Sequence, residues 1–132
     1  MDLIKLSANE ALKMMEEGSL SSEDYIKAFL KQIELRENEV GAWIFLDPKL
    51  ALDQAREADK RWKDKTAGKL NGLPIGIKDI IDTKDMPTEN GSQLCKDRKP
   101  SKDAHLVKLL RNEGAVIMGK CVTTEFALSG PG

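Results

Sequence analysis

The sequence predicts an α/β fold, a mixed sheet flanked by helices, on three observations. Helical stripes with apolar residues at steps of three and four surround one short aromatic and β-branched run in the first half of the chain. In the second half, apolar runs at 73–81 and 115–118 are separated by a helical pattern, the order that leaves two strands parallel after a crossover. With 132 residues, 40% hydrophobic and 33% charged, the chain has the composition of a globular domain able to bury a core without disulfides or metals.

The elements follow in order. Ser7 with Glu10 three residues on forms a capping box, so a first helix spans 8–17 and stops at Gly18. Ser21 or Ser22 caps a second helix whose stripe is Tyr25, Ile26, Phe29, Leu30 and Ile33, with a break near Asn38. Residues 42–46 read as a strand. Asp47 then supplies an N-cap and Pro48 the first position of a third helix, striped by Leu50 or Ala51, Ala55, Ala58 and Trp62 and ending at 66–68. Its charged face is most simply solvated.

Residues 73–81 are the most apolar segment and read as a buried strand, interrupted by Lys78 and Asp79. The Pro-, Thr-, Asn- and Gly-containing stretch 86–102 reads as a long irregular loop, a class more often functional than idle. A fourth helix spans 103–113 with Gly114 as its stop, 115–118 is a strand, and Thr123 or Thr124 caps a short final helix. No repeat or low-complexity segment occurs. Residues 1–69 form a helical start and 70–132 a strand-loop-helix-strand unit of the same domain. The closing Ser129-Gly130-Pro131-Gly132 reads as a turn, and more chain is expected beyond it.

Charge and spacing exclude several function classes. Lys and Arg number 21 against 22 Asp and Glu, a net charge of −1, so no overall field favours nucleic acid or an anionic membrane. The first residues lack the apolar core of a signal peptide, no apolar run is long enough to span a bilayer, and a cytoplasmic address is expected. Cys95 and Cys121 have neither CxxC spacing nor a partnering histidine and read as reduced structural thiols. The only histidine, His105, lies in a helical pattern with nothing beside it to complete a nucleophile pair. Residues 114–120 lack the GxxxxGK[ST] spacing of a phosphate loop and read as a strand.

Lys78 is the residue with chemical interest. It ends a strongly apolar strand, Pro74-Ile75-Gly76-Ile77-Lys78-Asp79, where burial would disfavour the ammonium and favour a neutral amine able to act as a base. The structural alternative is a lysine that snorkels to water or pairs with Asp79.

The longer pattern decides between these. Residues 72–79 with Thr88, Gly91 and Ser92 resemble the stretch of the amidase-signature family in which a Gly-Leu-Pro-Ile-Gly-Ile-Lys-Asp strand precedes a Thr-x-x-Gly-Ser loop. The likeness continues through DAHLVKLLRNEGAVIMGKCVTTEFA, so that 70–127 is covered without a gap. The resemblance implies the amino-terminal part of that family's fold, with an incomplete sheet. It also implies a Ser, cis-Ser and Lys triad in which Lys78 matches the lysine: the neutral amine takes a proton through the bridging serine, the nucleophilic serine attacks an amide carbonyl, and an acyl-enzyme forms. No cofactor is implied.

Supporting roles fall to Gly76, Asp79, Gly91 and Ser92, for orienting the lysine or shaping the adjoining loop, although turns and strand ends favour these residue types in any case. The family's Gly- and Ser-rich stretch, which carries both serines and the oxyanion loop, is expected after the Pro131-Gly132 pair. Ser92, Ser101 and Ser129 are not at matching positions. At Cys121 the family more often has threonine, which affects only local packing. A small-molecule amide is the expected substrate of the completed enzyme, either a plain amidase or an amidotransferase subunit releasing ammonia from glutamine. The alternative is a non-catalytic module that self-associates or takes a complementing chain through an uncovered sheet edge and apolar face.

Overall fold

A computed structural model describes residues 1–128 and Gly130, so the expected turn at Ser129, Pro131 and Gly132 lies outside the described residues. Among the described residues, four helices and three strands follow in the order α1 (Ala8–Glu16), α2 (Ser22–Val40), β1 (Trp43–Leu46), α3 (Pro48–Lys63), β2 (Pro74–Lys78), α4 (His105–Asn112) and β3 (Val116–Cys121). Single 3-10 turns sit at Leu3–Lys5, Gln93–Cys95 and Glu125–Ala127.

Local chemistry sets the helix ends. Ser7 Oγ accepts from the Glu10 amide at 3.3 Å, and Glu10 Oε2 accepts from the Ser7 amide at 2.8 Å, so both halves of the capping box form. α2 runs past the break expected near Asn38 and stops at Gly41, whose φ of 61° closes the last turn in the left-handed region. Asp47 Oδ1 accepts from the Leu50 amide at 3.0 Å, and Pro48 takes the first position of α3.

The sheet has the order β1-β3-β2, with β3 parallel to β2 and antiparallel to β1. The expected parallel pair is therefore present, and β1 and β2 are the outer strands. On one face Val116 and Met118 pack on Ile26 of α2 and on Ala51 and Ala55 of α3. The alanines let α3 approach the sheet closely, and burial of Ile26 stabilises the fold by roughly 2–3 kcal/mol. On the other face Ile77 and Ile117 pack with Met86 and with Val107 of α4. A third cluster, Ala11, Met15, Tyr25 and Leu73, ties α1 to the segment entering β2.

Four further expectations need correction. β2 ends at Lys78 and does not continue to residue 81, because the Ile81 amide bonds back to the Lys78 carbonyl at 3.0 Å and turns the chain. α4 begins at His105 and not at Asp103, because the buried Asp103 carboxylate is engaged elsewhere, accepting from the Lys84 amide at 2.9 Å and pairing with Arg111 at 3.1 Å. The strand expected at 115–118 starts one residue later and extends to Cys121, and the final helix is only the turn Glu125–Ala127.

Candidate functional site

The strand ends are arranged by one irregularity. Opposite β2, Ile75 pairs with Ile117 but Gly76 pairs with Gly119, so β3 carries one extra residue, a β-bulge at Met118 and Gly119. Side chains alternate faces along a strand, and one extra residue reverses the alternation beyond it. Lys120 thereby returns to the face of its partner Ile77, and Cys121 shares the opposite face with its partner Lys78. The bulge requires glycine at 119, where a Cβ would collide with the Phe45 carbonyl oxygen of β1.

Lys78 stands exposed at the end of β2. On its face lie Gly76, Cys121 and Trp43, and a Cβ at Gly76 would meet Cys121 Sγ at 2.7 Å and Trp43 Cη2 at 3.0 Å. Burial raises the Cys121 thiol above its ordinary value, reinforced by the Glu37 charge and opposed by Lys120. The buried amine at this strand end is thus not Lys78.

It is Lys120, which is 0% exposed. Its Nζ donates to Thr88 Oγ1 at 2.6 Å and to the Pro87 carbonyl at 3.2 Å, and lies 3.3 Å from Asp79 Oδ1. Burial lowers the ammonium below the ordinary lysine value, while the Asp79 charge acts in the opposite direction. Asp79, 2% exposed, is held by backbone and side chain: its amide donates to the Cys121 carbonyl at 2.9 Å, its carbonyl accepts from the Asn90 amide at 2.9 Å, and Oδ2 accepts from the Glu89 amide at 3.3 Å. Asp79 therefore pairs with Lys120 across the sheet and not with its neighbour Lys78.

The loop after β2 is held by the same groups. Arg98 forms a two-pronged contact with Asp82 at 2.8 and 3.1 Å, and its Nη1 also donates to the Thr88 carbonyl at 3.2 Å. Ser92 is buried, its Oγ donating to Glu125 Oε1 at 2.7 Å and accepting from the Leu94 amide at 3.3 Å. Gly91 has φ of 65°, and a Cβ there would sit 2.7 Å from the Thr123 carbonyl oxygen. The Phe126 amide donates to the Asn90 carbonyl at 2.8 Å. Gly91 and Ser92 thus join the loop to the segment after β3, and with Ile44, Val122 and Thr123 they line an open groove of about 400 Å³ that does not include Lys78.

The structure brings Asp79, Thr88, Gly91 and Ser92 together around Lys120 and the residues after β3, and places Gly76 and Lys78 on the opposite face. His105 is exposed at the start of α4, and Cys95 lies within the loop, its Sγ accepting from the Asn90 side-chain amide at 3.4 Å. Lys120 and Glu125 join the site; both lie in the stretch that resembles the family, but neither is among the site residues expected from the sequence. The available signal is a lysine directly after an apolar strand and a glycine, but its face depends on the bulge.

The Amidase family profile matches residues 24–132. The chain belongs to the amidase family.

Among curated amidase-family relatives, the glutamyl-tRNA(Gln) amidotransferase A subunit of Dehalococcoides mccartyi is 37% identical over 127 residues, covering 96% of this chain and 26% of the relative. The corresponding protein of Clostridium botulinum is 36% identical over 129 residues, covering 97% of this chain and 27% of the relative. The native peptide amidase of Stenotrophomonas maltophilia superposes with a TM-score of 0.86 at 32% identity, covering 92% of this chain and 26% of that one. The chain spans about a quarter of the length of these relatives.

Proposed function

We propose that this chain supplies the lysine of an amidase centre, Lys78 acting as the base of a Ser, cis-Ser and Lys triad whose two serines belong to a Gly- and Ser-rich region of the family that these residues do not contain. The observation that carries the reading is the position of Lys78: it ends β2 beside β3 in an amidase-family frame, projects from the sheet, and has its neighbouring carboxylate engaged by another cation. A base that must accept a proton needs an amine without a fixed counter-ion and room for the proton donor to approach. The supporting parts have physical counterparts, since Asp79 fixes the strand end and Gly91 with Ser92 fixes the loop.

When a serine-rich segment covers Lys78, desolvation would favour its neutral form. The bridging serine then relays the proton from the nucleophile, which attacks the amide carbonyl, and water or an amine releases the acyl group. On this reading the 132 residues alone are inactive, because removing a nucleophile leaves at best weak residual catalysis. The substrate is a small-molecule amide, and the address is cytoplasmic.

The curated relatives favour a glutamine-hydrolysing amidotransferase component as the specific form, with a complementing chain as partner. The test is ammonia release from glutamine and from a panel of simple amides. It compares this chain with the chain completed past Gly132 by the Gly- and Ser-rich portion of a relative. Release only in the completed chain is expected, and release confined to glutamine would favour the amidotransferase form. Turnover by the short chain would place a nucleophile within it and defeat the reading.

A non-catalytic module is the second reading. Outer strands β1 and β2, with exposed Ile44, Val122, Phe126 and Leu128, give it a physical basis in self-association. A monomer by sedimentation at high concentration would count against it.

A further inference from the structure

Lys120 is a buried charge for which the proposed triad has no use. Burying an ion pair costs desolvation on both partners, and an apolar replacement of similar volume often folds as well. The pair between Lys120 and Asp79 is therefore not needed merely to fill the space. Its placement points to another role, because Asp79 directly follows Lys78 and the two side chains leave the strand end in different directions.

We propose that Lys120 is a positioning residue for Lys78: it holds Asp79 on the loop side of the sheet and compensates its charge, so that Lys78 projects from the other side with no carboxylate partner among the described residues. This inference rests on the amidase reading for the use made of Lys78, but the arrangement itself is testable without turnover.

The charged groups around the pair are few. Lys120 is influenced by Asp79, Asp82 and Arg98, and the last two are paired with each other. Thr88 Oγ1 and the Pro87 carbonyl fill the remaining donor directions of Nζ. On the Lys78 face, Glu37 accepts from the Trp43 amide at 2.7 Å, and its charge reaches Cys121. With Lys120 protonated, Asp79 has its counter-ion. Without that cation, the Asp79 carboxylate has Lys78 as the next amine along the chain.

The experiment is side-chain NMR at neutral pH, reading the contacts of the Lys78 side chain in this chain, unsubstituted and with Lys120→Gln. Glutamine still donates to Asp79 and Thr88 but carries no charge. The expected result is new contact between the Lys78 and Asp79 side chains in Lys120→Gln, absent in the unsubstituted chain and lost again in Asp79→Asn/Lys120→Gln. A folded Lys120→Gln chain in which the Lys78 and Asp79 side chains stay apart overturns the proposal. So does loss of cooperative unfolding in Lys120→Gln that the double variant restores with no change at Lys78, since that describes a structural pair only.

In the completed chain, the acid limb of the amide-hydrolysis profile should move to higher pH in Lys120→Gln. A completed chain that is inactive on every amide, together with the expected NMR contact, would remove the amidase reading and leave the positioning role standing.

Discussion

Asp79 Oδ1 lies 3.3 Å from Lys120 Nζ, and both residues are almost wholly buried where β2, β3 and the loop after β2 meet. Breaking such a pair leaves one charge without compensation in a dry site. Lys120→Ala is expected to destabilise the chain by about 3–5 kcal/mol, the scale for a buried pair reduced to one partner. Urea unfolding checks it, and Asp79→Asn/Lys120→Met should recover most of the loss.

The bulge that aims Lys120 depends on Gly119. Alanine there would press its Cβ into the Phe45 carbonyl oxygen, so β1 or β3 must move. Gly119→Ala is expected to cost about 2 kcal/mol or more, read as a lower thermal midpoint. Loss of the Lys120 contacts to Thr88 should accompany it.

The capping box at α1 is exposed and modest. Ser7→Ala removes the acceptor for the Glu10 amide and the partner of the Glu10 carboxylate. It should lower stability by about 1 kcal/mol in urea unfolding. The Ser7 bonds hold the Glu10 carboxyl below its ordinary value, so the difference between the two chains should shrink as the pH falls through the folded Glu10 value.

Asp82 gives a second pH signature. Hydrogen bonds from Arg98 are the largest cause holding its carboxyl below the ordinary aspartate value, against partial desolvation. A depressed folded value means stability that is full above the unfolded value and lost as pH falls through the folded one. Asp82→Asn should therefore be less stable than the unsubstituted chain near neutral pH by about 0.5 kcal/mol, a solvent-screened magnitude, and the gap should close in acid.

Much of the frame is legible in the sequence because local rules and tertiary structure agree. Ser7 with Glu10, Asp47 with Pro48, and the stripe of Ala51, Ala55 and Ala58 each specify a helix end or face without reference to the rest of the chain. The parallel pairing of β2 and β3 follows from their order around α4. What cannot be read depends on long-range geometry. The face occupied by Lys120 is set by one extra residue in β3, opposite a partner strand distant in sequence. Asp103 reads as the first residue of a helix, but Arg111 and the Lys84 amide engage its carboxylate instead. The apolar neighbours of Lys78 suggest burial, yet Ile75 and Ile77 face the core while Lys78 shares the alternate face with Gly76.

The central claim is that Lys78 is the base. The most direct measurement is single-turnover hydrolysis of an amide by the chain completed with the serine-rich region, compared with its Lys78→Ala variant. A loss of about a thousandfold or more in the acylation rate, with the fold and substrate binding retained, is the predicted result. Acylation at an undiminished rate in Lys78→Ala would contradict it and move the search for the base elsewhere in the molecule.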